Sequence, residues 1–300
     1  MRTSVKFLAV LGILSLIGLS VPVTANATVA KDKILWTQSF NEKAGTLVSN
    51  KIFSYDTGNG MGWGNNEQEY YTNKAANISS DGKGNLVINA IKLNPDNPKD
   101  QSITNWCGAC VFSSAKVTTR GKLGFKYGSL SARIQIPAGT GMWPAFWLLG
   151  VPRKTCDGWP SCGEIDIMEA RGSDPFHSVS TLHGPGYSGG GGLSHYFSAG
   201  DIPKNNGDIP LSAGFHIYRV DWLPNSINFY VDNQLVGGET KSSVSPNAWV
   251  FNAEFYLILN LATGGDFDGG ALDDTIQSAS LKIDWIRYMT FKGQGTLIKH

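Results

Sequence analysis

The chain reads as an all-β protein, a two-sheet antiparallel β-sandwich of the jelly-roll kind with an open cleft. Three observations lead there. Polar and apolar residues alternate over short runs, as in Ser129-Leu-Ser-Ala-Arg-Ile-Gln-Ile136, which is the period of a half-buried strand. Helical spacing carried by good helix formers is nearly absent. Glycine is frequent, 36 of 300 residues, and suits many tight turns.

In chain order, the first segment has the form of an export signal. Arg2 and Lys6 give a positive start, Phe7 to Leu19 is almost wholly apolar, and Ala25-Asn26-Ala27 offers a small-residue cleavage site. A membrane anchor is the alternative, but Pro22, Thr24 and Asn26 end the run in the manner of a cleaved signal. Residues 1–27 are therefore expected to be removed, leaving 28–300 as one domain of a secreted, soluble protein. Strands are expected at Asn85–Ile91, Ser129–Ile136, Phe215–Trp222, Ile227–Asp232, Phe255–Leu261 and Leu281–Tyr288. A turn at Asp232-Asn233 leads into a short Gln234–Val236 strand, a hairpin. Pro95–Asp100 reads as a polar loop and Gly184–Gly192 as a glycine-rich one. No internal repeat or domain linker interrupts the series.

Lysine and arginine number 25 against 24 acidic residues, so charge favours neither nucleic acid nor an anionic membrane as partner. Four cysteines in an exported chain imply disulfides, with three possible connectivities. Proximity favours Cys107–Cys110 and Cys156–Cys162. A redox dithiol at Cys107-Gly-Ala-Cys110 lacks a surrounding βαβ pattern, and the second pair has the wrong spacing for a zinc ribbon. The nine tryptophans are divided between core and flat platforms for sugar rings, with about half expected in the core. Asn77-Ile-Ser79 has the glycan-acceptor pattern.

The most informative stretch is Gly163-Glu164-Ile-Asp166-Ile-Met-Glu169-Ala170. Glu164 and Asp166 are two apart and share a strand face, whereas Glu169, five from Glu164, falls on the other. One extra residue absorbed by a β-bulge around Ile167-Met168 restores Glu169 to the first face. Two glutamates so placed can lean to the separation of about 5–5.5 Å used by retaining glycosidases. Asp166 lies between them, able to hydrogen-bond one and drive their proton affinities apart. Without a function, three carboxylates on one strand face would repel and pair poorly.

These residues resemble the family-16 glycoside hydrolases, and the longer, bulged Glu164-Ile-Asp-Ile-Met-Glu169 is similar to that of laminarinases. The resemblance continues through Asn65-Asn-Glu-Gln-Glu-Tyr-Tyr-Thr72, Gly141-Met-Trp-Pro-Ala-Phe-Trp147, Thr181-Leu-His-Gly-Pro185, Gly214-Phe-His-Ile-Tyr218, Asn260-Leu-Ala-Thr-Gly-Gly265 and Ile283-Asp-Trp-Ile-Arg287. It implies a concanavalin-like jelly roll and a secreted endo-β-1,3-glucanase, acting on laminarin-type and also mixed-linkage β-1,3-1,4-glucan. By resemblance Glu164 is the nucleophile, Asp166 the supporting acid and Glu169 the general acid/base of a retaining double displacement. Trp143, Trp147 and Trp63 are the implied sugar platforms, with His183, Asn66, Arg133 and Asn260 as polar contacts. Phe267 stands where many relatives carry tryptophan. No catalytic cofactor is implied; a structural calcium ion is, held by Asp284 and the backbone at Gly84 and Glu42. The expected partner is the polysaccharide alone, bound by a monomer. Two other readings share the fold: a galactanase acting on agar or carrageenan, and a noncatalytic β-glucan-binding protein. The neutral, tryptophan-rich composition disfavours a sulfated galactan, and the complete carboxylate set disfavours pure binding.

Overall fold

The computed structural model describes residues 31–300; the expected export signal, 1–27, lies outside them. The described residues form two sheets, one of ten strands and one of nine. Pairing is antiparallel except where Glu69–Tyr71 runs parallel to Phe112–Ser114. The nine-stranded sheet, called here the cleft sheet, carries in spatial order Leu193–Ser198, His177–His183, Glu164–Glu169, Met142–Gly150, Phe255–Thr263, Lys116–Thr118 and Ser54–Asp56. The ten-stranded outer sheet is built around Gly128–Gln135 and Ser278–Met289.

Alternation along the strands explains how the layers meet. Leu130, Ala132 and Ile134 point from the outer sheet into a core completed by Phe146, Leu148 and Ile165 of the cleft sheet. Phe255–Thr263 is buried at every position, as a central strand covered on both faces should be. Trimming one of these core side chains to alanine costs roughly 2–5 kcal/mol.

The anticipated strands are all present; four keep their length with bounds shifted by one residue, and Phe255–Thr263, Ser278–Met289 and Gln234–Thr240 run longer. The hairpin turns through Asp232 and Asn233 at φ 48° and 67°, left-handed values that fit a primed two-residue turn. The second strand of that hairpin runs on to Thr240. The polar loop expected at Pro95–Asp100 is instead the approach to an α-helix, Pro98–Thr104. The Asn97 side chain accepts from Lys99 N–H and Pro98 occupies the first turn, a local start signal strong enough to nucleate a short helix.

Both proximity-favoured disulfides form, Cys107–Cys110 and Cys156–Cys162. The first belongs to a small apolar cluster with Leu93 and Ile103. Fewer tryptophans are core than expected: among the described residues Trp222 alone is fully buried, its indole donating to the Phe251 carbonyl. Asn77 is also buried, 2% exposed, and donates to the Asn89 carbonyl and Ser113 Oγ, so the folded chain offers no glycan acceptor there.

Candidate active site

The acidic strand Glu164–Glu169 lies between Met142–Gly150 and His177–His183 in the cleft sheet. Its register shifts between Asp166 and Glu169 against both neighbours. Asp166 faces Trp147 and Met168 faces Phe146, leaving Ile167 as the extra residue. The bulge buries Ile165, Ile167 and Met168 below the sheet and turns Glu164, Asp166 and Glu169 into one hollow. Trp63, Asn65, Glu67, Lys116, Trp143, Ala145, Trp147 and Asn260 complete its walls.

Each wall residue has a local reason for its place. Trp143 and Trp147 are four apart on one strand and flank Ala145, which sits opposite Glu169. The small side chain leaves open the space between two indoles. Trp143 Nε1 donates to Glu169 Oε1 at 2.9 Å, and Trp147 Nε1 donates to Asn260 Oδ1 at 2.8 Å. Trp63 projects from a tight loop, Met61–Asn66, with Met61, Trp63 and Asn66 all at positive φ. Asn59 braces that loop through Oδ1 to Gly62 N–H and Nδ2 to the Glu69 carbonyl. Gly265, at φ 77°, backs the opposite rim; a Cβ there would come within 3.2 Å of Trp143 and 3.3 Å of Glu67.

The carboxylates hold their protons unusually tightly. Burial pushes Glu169 up to about 7, helped by the Glu164 charge and opposed by the Trp143 hydrogen bond. Glu164 is raised well above the ordinary carboxylate range, first by burial and then by Asp166, with His183 opposing. Asp166, 3% exposed, is also raised well above its usual value by burial and the nearby Glu169. Asp166 and Glu164 lie close enough to shift one another's proton affinity. His183 Nε2 lies 3.1 Å from Asp166 Oδ2. Glu164, Asp166 and His183 bring ligand atoms within 4.8 Å of one another, the one such trio among the described residues. Glu164 shares its strand face with Asp166 and pairs with His183 on the next strand, which accounts for that closeness.

Other sequence-predicted contacts are distributed unevenly. Asn260 is buried and engaged at both ends, accepting from Trp147 and donating one amide hydrogen to Tyr71 Oη at 3.1 Å, so it braces the platform. Asn66 ties the loop to the far rim, donating to Asp266 at 3.0 and 3.1 Å; its neighbour Asn65 is the one that lines the hollow. Arg133 is not at the cleft. It projects from the outer sheet, between core residues Ala132 and Ile134, pairs with Asp284 at 2.7 Å and lies against Phe215. Strand parity correctly makes it polar-facing, but that face is the far side of the sandwich.

The three calcium candidates meet at one end of the outer sheet. Gly84 bridges Phe40, two residues before Glu42, and Asp284 occupies a register shift one residue beyond Ile283, the partner of Leu86. Asp284 gives one oxygen to Arg133 and keeps the other. One carboxylate oxygen and backbone carbonyls form an oxygen-only donor set, which suits a hard cation such as calcium.

Sequence reading missed several cleft residues. Lys116, 9% exposed, reads locally as a solvent-facing strand residue. Glu67 and Glu69 were seen only as part of a motif, yet both are buried. Trp159 stands on the loop clamped by Cys156–Cys162, its ring 6.2 Å from that of His183, and favours the ionised form of Glu164. The odd pairing of an exposed tryptophan with a six-residue disulfide loop was the available signal. Phe267 stacks on Trp143 at 4.8 Å with Arg171 over its other side. Beyond it a second hollow, lined by Arg171, His177, Tyr196 and Phe267, opens on the other side of Glu169.

Comparison with known proteins agrees with this arrangement. Residues 63–287 match the family described as Glycosyl hydrolases family 16. The chain is 34% identical over 267 residues to a glucan endo-1,3-beta-glucosidase of Cryptopygus antarcticus, covering 81% of this chain and 84% of that one. It is 33% identical over 287 residues to glucan endo-1,3-beta-glucosidase A1 of Niallia circulans, covering 90% of this chain but spanning only 39% of the relative's length. The laminarinase catalytic domain of Thermotoga maritima superposes with a TM-score of 0.73 at 36% identity, covering 87% of this chain and 98% of that one.

Proposed function

Because the chain belongs to glycosyl hydrolase family 16, we propose that this glycoside hydrolase is an endo-acting β-1,3-glucanase of the laminarinase type that retains anomeric configuration. The relatives named for endo-1,3-β-glucan and laminarin cleavage support the substrate. The observation that carries the mechanism is the proton state of Glu169, held at about 7 beside Glu164 on one bulged strand. A carboxyl group with that affinity is protonated often enough near neutrality to act as an acid and can later act as a base.

Protonated Glu169 donates to the departing glycosidic oxygen while Glu164 attacks the anomeric carbon and forms a glycosyl-enzyme. Glu169 then takes a proton from water, which attacks that carbon and releases Glu164. Glu164 must be ionised at the first step. His183 and the Trp159 indole both favour the ionised form of Glu164, against the burial that raises it. Hollows on both sides of Glu169 suit internal cleavage of a long chain. Mixed-linkage β-1,3-1,4-glucan is a second substrate on the same reading.

Two disulfides and a described chain with no helix long and apolar enough to cross a membrane support secretion, with residues 1–27 as the signal. The protein acts as a monomer on this reading. Calcium at Asp284 and the backbone of Gly84 and Glu42 serves stability; when bound it supplies positive charge to close that end of the sheet and takes no part in the reaction.

The test is laminarin hydrolysis followed by proton NMR from the first minutes, with the native protein and Glu164→Ser, and with lichenan and agarose as competing substrates. Early β-anomer from laminarin, absent in the variant, is the expected result. Early α-anomer would overturn the double displacement, and cleavage of agarose alone would overturn the glucanase assignment.

A further inference from the structure

Lys116 is a buried cation for which the reaction described above has no use. It stands on Lys116–Thr118, opposite Asn260 and Asp56 in the cleft sheet. Its side chain enters the hollow that holds Glu164, Asp166 and Glu169. The ammonium lies 4.4 Å from the centre of the Trp63 ring and 5.2 Å from that of Trp147. The lysine and arginine ion pairs of the described residues are Lys92–Asp274, Arg120–Asp56, Arg133–Asp284 and Arg219–Asp221, and Lys116 is in none of them.

Burying an ammonium with no hydrogen-bond acceptor is costly. Four acidic groups offset the cost from a distance: Glu67, Asp56, Glu69 and Glu164. None of the four forms a hydrogen bond or an ion pair with the ammonium, which is held instead over the Trp63 and Trp147 rings. The three donor hydrogens of Lys116 are therefore left to whatever enters the hollow beside those rings.

We propose that Lys116 is a substrate-binding residue whose ammonium, held over the Trp63 and Trp147 rings, donates hydrogen bonds to hydroxyl oxygens of the sugar unit seated beside them in the hollow, in a subsite reserved for neutral sugars. The inference rests on the glucan-hydrolase reading and assigns a residue to it. Hydroxyl oxygens replace the acceptors that Lys116 lacks. The surrounding carboxylates cancel its charge, so a uronic or sulfated unit at this point meets Glu67 and Glu164 without net attraction. The ammonium, held over both indoles, fixes the rotation of the sugar ring.

The test compares native protein, Lys116→Met and Lys116→Arg on laminaritetraose, with kcat and KM measured separately and folding checked by near-UV circular dichroism. Loss of a charged donor is worth about 10- to 100-fold in affinity. Lys116→Met should raise KM by that factor with kcat changed less than about threefold, while Lys116→Arg, which keeps a charged donor, should stay near native. Should Lys116→Met fail to fold, Lys116→Gln takes its place with the same expectation at the lower end. A folded Met or Gln variant with native KM overturns the proposal. Titration of Glu164→Gln with laminaritetraose and with its C6-oxidised form should show at least tenfold weaker binding of the latter; equal binding overturns the neutral-sugar subsite. If native protein leaves laminarin uncut, the glucanase reading has failed, and that result is seen before any lysine variant is compared.

Discussion

The indole N–H of Trp143 donates to Glu169 Oε1 at 2.9 Å, so the residue flanking the sugar space also sets the proton affinity of the proposed acid/base. A hydrogen bond to a carboxylate favours its charged form. Without it, burial and the Glu164 charge would hold Glu169 higher than about 7. Trp143→Phe keeps a ring against Phe267 and removes the donor. The alkaline limb of its kcat/KM profile should move to higher pH, measurable on laminarin between pH 5 and about 9. An unmoved limb would separate the indole from the titration.

Glu169→Gln tests both activity and stability. Loss of the proton donor should lower kcat on laminarin by about 10²- to 10⁴-fold. The stability effect has a definite sign. The folded carboxyl binds its proton more tightly than the unfolded one, so its contribution is full below the unfolded value of 4.5 and is lost as pH rises through about 7. Glutamine cannot ionise. The variant should therefore melt at a higher temperature than native protein at pH 8, with the difference shrinking toward pH 5, as read by scanning calorimetry.

The bulge at Ile167 predicts an asymmetry between deletion and insertion. Removing Ile167 leaves Glu169 four positions after Glu164, the same face of a regular strand, so laminarin cleavage should fall but persist. Inserting alanine between Ile167 and Met168 requires a second bulge residue or turns Glu169 away from the cleft. That variant should lose detectable cleavage. Equal activity in the two would show that the strand adjusts its register freely.

The calcium proposed for the outer-sheet site predicts a change in stability without one in rate. Excess chelator should lower the melting temperature by several degrees, on the order of 1–2 kcal/mol for a domain of this size, with initial rates at 25 °C unchanged. Asp284→Asn should lower the melting temperature and abolish the response to chelator. A chelator-insensitive native protein would leave Asp284 as the partner of Arg133 alone.

The strand at Ser129–Ile136 and the carboxylates of Glu164–Glu169 were legible because their signals are local. Alternation with period two follows from backbone geometry, and an acidic residue on the wrong parity requires an extra residue wherever the strand lies. Cys107–Cys110 and Cys156–Cys162 were legible for the same reason, each closing a few residues of chain. The helix at Pro98–Thr104 was also local, signalled by Asn97-Pro98, and its shortness hid it among turn residues.

Arg133 and Lys116 show where local reading ends. Each is a basic residue on a strand, and parity says only that it faces away from its apolar neighbours. Whether that face is the outer surface or the cleft depends on which strands pair beside it, through contacts such as Asn260 with Lys116 and Trp285 with Arg133. The sequence by itself determined the strands, their inward faces and the gathering of Glu164, Asp166 and Glu169 on one face. Only the tertiary structure decided which polar faces meet: it carried Arg133 to Asp284 on the far side and enclosed Lys116 among Trp63, Trp147 and four carboxyl groups. The physical reason is that strand alternation is a property of neighbouring residues, whereas burial of a charge is decided by residues brought together from distant parts of the chain.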